Sequence, residues 1–170
     1  MMHKFIGAFL IMISCGCFGF LFAARYKKEE RSLRQLVAAI EYMSCELSYK
    51  HTALPELCQK AGAISSGVVK GVFEELCREF SLNLTCDVML CMKNALKRVK
   101  DIPPLTADAF VQMSYSLGRF NIDGQLKSLE SAKAECNRYL KTIMENQPNR
   151  IRSYQTLGLC AGAAIVILFI

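Results

Sequence analysis

Residues 33–47 read LRQLVAAIEYMSCEL. Apolar side chains recur there at Leu33, Leu36, Val37, Ile40, Met43 and Leu47, and a spacing of three and four makes one continuous face only on a helix. Period-two alternation with β-branched residues, the mark of a half-buried strand, is nearly absent from the rest of the chain. The predicted fold class is therefore all-α.

Moving toward the N-terminus, this helix meets Arg34, Arg31, Lys28, Lys27 and Arg25, and then Phe5 to Ala24, FIGAFLIMISCGCFGFLFAA, which holds no charge. Twenty helical residues rise about 30 Å, the hydrocarbon thickness of a bilayer. Residues 5–24 are thus expected to be a transmembrane helix running straight into the amphipathic one. A cleaved signal peptide fits less well, because only Lys4 precedes the apolar run as a basic residue near it and no small-x-small site precedes the charges. At the other end, Leu157 to Ile170 reads LGLCAGAAIVILFI. Those residues alone reach only about 21 Å, and about 25 Å if Tyr154 to Thr156 join them. Residues 154–170 are expected as a short C-terminal transmembrane helix, since mismatch is tolerated at modest cost. Gly158 and Gly162 form a small-residue face on which another helix can pack closely.

The net charge of +6 lies beside these ends. Lys4, Arg25, Lys27, Lys28, Arg31, Arg34, Arg150 and Arg152 outweigh Glu29 and Glu30, while residues 35–149 carry equal numbers of acidic and basic side chains. The basic flanks of both spans place the middle domain, 25–153, on the cytoplasmic side. Nucleic-acid binding needs a basic stripe on a folded face, and the neutral body argues against it. The hydrophobic content of 52% and mean hydropathy of +0.23 are accounted for by the two ends.

The body continues as helices. Thr52-Ala53-Leu54-Pro55-Glu56 reads as an N-cap and first turn, and Gly62 closes that helix. Ser65 and Ser66 precede a stripe of Val69, Val72, Phe73, Leu76 and Phe80. After a turn at 83–85 comes Val88, Cys91, Met92, Ala95, Leu96 and Val99, ended by Pro103-Pro104. Thr106 is expected to cap a helix bearing Ala109, Phe110, Met113 and Leu117 and ending at Gly118. A last helix from Asn121 carries Leu126, Leu129, Lys133, Cys136, Leu140 and Ile143, and Asn146 to Asn149 should bend or interrupt it. The expected architecture is a bundle of about six helices flanked by the two spans.

No catalytic constellation is visible. The chain lacks a phosphate-cradling glycine loop, G-x-S-x-G, HExxH and paired metal carboxylates. Its nine cysteines form no CxxC pair and it has two histidines, so neither structural zinc nor any other cofactor is expected. Most body cysteines read as small buried thiols. Lys93, Lys97, Arg98 and Lys100, like Glu74, Glu75 and Glu79, read as solvated faces. His51 reads as a loop residue.

At these same residues the chain resembles the stage III sporulation protein AB family of endospore-forming bacteria. The likeness runs over the whole length: the two end segments, then Leu33, Leu36, Ile40, Glu46, Leu47, Tyr49 and the Leu54-Pro55-Glu56 turn. It continues through Ala95-Leu96, Leu117-Gly118 followed by Gln125, and Tyr154, Leu157-Gly158 and Gly162. The chain departs from the family pattern at Met92 (usually Trp), Asn121 (Asp), Met113-Ser114 (Leu-Gly) and Ser44 (acidic). The family is in turn similar to the cytoplasmic helical domains of the type II secretion inner-membrane platform protein. The resemblance implies a non-enzymatic platform in the mother-cell membrane, within the channel complex joining mother cell and forespore. Its partners would be membrane lipids, the cytoplasmic ATPase stage III sporulation protein AA and other membrane proteins of that complex. Homo-oligomerisation is left open, and a two-span sensor or adaptor is the alternative reading.

Overall fold

The helical face of residues 33–47 belongs to α1 (Met2–Lys50) of a computed structural model. Five more helices follow: α2 (Leu54–Ile64), α3 (Gly67–Leu82), α4 (Val88–Arg98), α5 (Pro104–Ser114) and α6 (Ile122–Phe169). The structure describes the backbone of residues 2–82, 87–115, 117 and 122–169, and of these the side chains between 24 and 145. Among the described residues there is no strand.

The chain divides into two units, Glu29–Lys141 and the paired ends Met1–Lys28 and Thr142–Ile170. In the ends, the side chains of the expected spans 5–24 and 154–170, apart from Ala24, lie outside the described residues, and so do those of Arg150, Arg152, Gly158 and Gly162. Among the described residues no helix is long and apolar enough to cross a membrane. α6 stays helical through Asn146 to Asn149, so the interruption expected there is absent. Proline at 148 has no N–H to give to the helix. That costs about 3 kcal/mol, which a long helix sustains.

In the central unit, Leu33, Leu36, Ile40, Met43 and Leu47 of α1 are buried as their spacing predicts, with Val37 half-buried. α6 lies antiparallel to α1: Leu129, Ala132, Cys136 and Leu140 are buried, and Lys133 reaches Glu41 of α1 at 2.6 Å. α3 buries Val69, Val72, Phe73 and Leu76. Phe73 meets Phe110 of α5 edge to face, with ring centroids 5.5 Å apart and planes at 73°. Such pairs add about 1 kcal/mol beyond the area they bury. α4 turns Cys91, Met92 and Ala95 inward.

Four local features differ from the sequence reading. Gly62 does not end α2, which continues to Ile64. A Cβ on Gly62 would lie 3.1 Å from the Cβ of Phe73, so the missing side chain serves the approach of α2 to α3. Thr52 does not cap α2. Ala53 takes the N-cap position without a side-chain bond, and the Thr52 hydroxyl donates to Glu46 instead. Thr106 is not the cap of α5 either. Pro104 suits the first helical position, with φ already set and no N–H to satisfy, so the helix starts earlier with Pro103 as its cap residue. Thr106 is fully buried in that first turn. Finally, α5 ends at Ser114, where the N–H of Tyr115 turns back to the Gln112 carbonyl at 3.3 Å; Gly118 lies outside the described residues.

Candidate functional site

α1 ends where His51 takes up a left-handed backbone (φ 50°) and donates its N–H to the Leu47 carbonyl at 3.3 Å. This is the usual geometry after a last helical turn. It folds the chain back so that Thr52 and α2 face the last turns of α1. The nearly buried carboxylate of Glu46 stands at that corner. Its Oε1 accepts from Lys50 Nζ at 2.9 Å and Tyr42 Oη at 3.2 Å. Its Oε2 accepts from Thr52 Oγ1 and Lys60 Nζ, each at 3.3 Å. Lys60 also pairs with Glu56 at 2.9 Å.

These donors decide the charge state. The Lys50 bond, helped by Lys60 and Tyr42 and opposed by burial, holds the Glu46 carboxyl down at about 2 from an ordinary 4.5. The Glu56 bond first, and Glu46 next, push Lys60 up against the effect of burial. The corner is thus a fixed network of charges from α1, the connecting turn and α2. It brings the Leu54-Pro55-Glu56 element into one place with Glu46: Leu54 is half-buried, Pro55 and Glu56 are exposed, and Glu56 connects to Glu46 through Lys60.

The other predicted residues lie apart from this corner. Leu117 is buried at 1% exposure, and Gln125 is half-buried in the first turn of α6. Arg25, Lys27, Lys28, Arg31 and Arg34 are all exposed on α1, with Arg34 bonded to Glu30 at 3.0 Å. Beside Gln125, an open groove of about 450 Å³ runs between Ser44, Cys45 and Ser48 of α1 and Asp123, Leu126, Lys127 and Glu130 of α6. The Ser44 hydroxyl donates to the Ile40 carbonyl at 3.0 Å and that of Ser48 to the Ser44 carbonyl at 2.9 Å. Both hydroxyls are therefore engaged with their own helix, and neither is paired with a base. Among the described residues no group of three His, Cys, Asp or Glu side chains is placed to hold a metal ion.

Two polar features escaped the sequence reading. Glu79, read as solvated, is buried at 2% exposure. Arg98 of α4 forms its ion pair at Oε1, held by charge rather than by a well-angled hydrogen bond, while Asn94 Nδ2 donates to Oε2 at 3.1 Å. Arg98 also reaches Glu75 at 3.4 Å, so one member of the basic run is an interhelix bridge. Lys93, Lys97 and Lys100 are exposed as expected. The signal was available, since Val72, Leu76 and Glu79 share one helical face. The second feature is Glu29, which caps α5 from α1; no short-range pattern announces it.

Comparison with known proteins places this geometry. Residues 4–170 match the family described as stage III sporulation protein AB. The chain is 24% identical over 170 residues to the stage III sporulation protein AB of Bacillus subtilis (strain 168), covering 98% of this chain and 99% of that one. A solved structure of a stage III sporulation protein AB superposes with a TM-score of 0.63 at 20% identity, over 72% of this chain and 98% of the other. It shares the fold. With the family match spanning nearly every residue, the chain belongs to the stage III sporulation protein AB family.

Proposed function

We propose that this sporulation-family protein is a non-enzymatic platform, held in the membrane by residues 5–24 and 154–170, with its helical domain in the cytoplasm. In this reading it sits in the mother-cell membrane facing the forespore, within a secretion-like channel complex, is required for endospore formation, and docks a cytoplasmic ATPase. The observation that carries the reading is the family match over residues 4–170, in a chain whose uncharged ends are each flanked by basic residues. A bundle tied at both ends to one bilayer presents a fixed face to a soluble partner, and Glu46 with its donors keeps the α1–α2 corner of that face in one arrangement. The sensor or adaptor alternative would be favoured by a ligand held in a bundle cavity lined by polar groups, and the polar-lined groove between α1 and α6 is the place to look for one.

The test joins topology to partnership. Cys45 is exposed, and a membrane-impermeant maleimide should label it in inside-out vesicles and not in intact cells. The full chain in detergent should retain stage III sporulation protein AA in a pull-down, and should hydrolyse no nucleotide alone. Labelling of Cys45 from outside intact cells would overturn the topology, and failure to retain the ATPase would overturn the docking role.

A further inference from the structure

α2 and α3 pack antiparallel, with Gly62 facing Phe73 at close quarters. One helical turn back along α2 is Cys58 and one turn forward along α3 is Cys77, so the antiparallel register brings the two thiols opposite each other. The position of Cys77 agrees, because its Sγ lies 3.9 Å from the carbonyl oxygen of Pro55, on the turn of α2 that carries Cys58. Both are free thiols, Cys58 buried and Cys77 half-exposed. Neither takes part in the Glu46 corner or the α1–α6 groove.

We infer that Cys58 and Cys77 are an oxidant-sensitive pair that closes to an intramolecular disulfide with hydrogen peroxide, fastening α2 to α3. A disulfide needs Cβ atoms about 3.5–4.5 Å apart, so closure requires the tight α2–α3 approach at Gly62 to carry on to the opposed pair one turn away. The half-exposed partner, Cys77, reacts first. The Cys77 thiolate attacks one peroxide oxygen, the O–O bond breaks, and hydroxide leaves to become water, giving a sulfenic acid. The Cys58 sulfur then attacks the Cys77 sulfur, the S–O bond breaks and a second water leaves. The two thiols lose two hydrogens and two electrons, and one peroxide becomes two waters. Burial, and then the neighbouring Cys77, push the Cys58 thiol far up. Burial, and then Glu74, raise that of Cys77. The pair therefore stays reduced under mild conditions and closes slowly, under sustained oxidant.

Trypsin separates the two residues into peptides 51–60 and 71–78, each holding one cysteine. The full-length protein in detergent is treated with hydrogen peroxide, unfolded in alkylating agent and digested without reductant. The expected result is loss of both singly alkylated peptides and appearance of a joined 51–60/71–78 species that reductant removes. Cys91 and Cys136, buried elsewhere, stay alkylated. Cys77→Ser, at the half-exposed position, should keep the fold and leave peptide 51–60 fully alkylated. The inference is overturned if peroxide that exhausts the exposed Cys45 leaves Cys58 and Cys77 separately alkylated. It is equally overturned if Cys77 proceeds to the sulfinic acid while Cys58 remains a thiol.

Discussion

Glu29 on α1 accepts a hydrogen bond from the backbone N–H of Leu105 at 2.7 Å, so a carboxylate 76 residues away in sequence caps α5. The cap is needed because Pro103, the residue at the N-cap position, has no side chain that can accept. It also places a negative charge at the positive end of the helix. Glu29→Ala should lower the stability of the helical domain by about 1 kcal/mol, with Glu29→Gln intermediate because the amide oxygen can still accept. Hydrogen exchange resolves where the loss falls. The first-turn amides of α5 should lose protection, and an effect confined to α1 would show that the capping bond contributes nothing.

Glu46 predicts a pH dependence. Its carboxyl is held at about 2 in the folded chain against an ordinary 4.5, so the unfolded chain binds the proton more readily. Stability from this group is present above pH 4.5 and is lost as pH falls toward 2. Urea unfolding of the wild type and of Glu46→Gln at pH 7 and at pH 3 should show the two proteins converging at the lower pH. A gap that stays constant across that window would contradict the assignment to Glu46.

A fragment of residues 29–153 should fold alone as a helical monomer, because among the described residues the core side chains of α1 to α6 lie within Leu33 to Ile143. Circular dichroism and analytical ultracentrifugation check this, and a fragment that is helical only when self-associated would contradict it.

How far the fold was legible depends on how local its cause is. The faces of α1, α3 and α6 follow from spacing, and Leu33 to Leu47 or Val69 to Leu76 are buried where their period puts them. Helix starts were less legible, because capping side chains compete with proline. Pro104 moved the start of α5 away from Thr106, and Glu46 drew Thr52 away from α2. The polar links between helices were the least legible. Glu29 to Leu105 and Glu41 to Lys133 join residues that meet only after the chain is folded. Of the predicted site, Leu54-Pro55-Glu56 has gained a physical setting beside Glu46, whereas the Gly158 and Gly162 face lies among side chains outside the described residues.

Gly62 sets two effects of similar size against each other. Alanine is preferred over glycine within a helix by about 1 kcal/mol, yet the new methyl would lie 3.1 Å from the Cβ of Phe73. Phe73 is fully buried and braced by Phe110, so it cannot retreat. Overpacking costs about 1–3 kcal/mol and should win. Gly62→Ala is expected to destabilise by roughly 1 kcal/mol in urea unfolding. Gly62→Val should cost more, and a stabilised alanine variant would mean that α2 can slide on α3.

Glu79 and Arg98 are unequal partners, and the inequality can be measured. The carboxylate is buried at 2% exposure, whereas the Arg98 side chain is 43% exposed. Removing the arginine leaves a charge inside the α3–α4 interface with only Asn94 to satisfy it. Removing the charge from the acid leaves a guanidinium that solvent and Glu75 can still reach. Stranding a buried ionised group costs about 1–3 kcal/mol or more, so Arg98→Ala should destabilise more than Glu79→Gln. The double variant should recover part of the arginine loss, since the stranded charge is then gone. Denaturant unfolding of the four proteins at pH 7 reads the cycle. Strict additivity would show that the pair contributes no coupling and that Glu79 is held by packing and Asn94 alone.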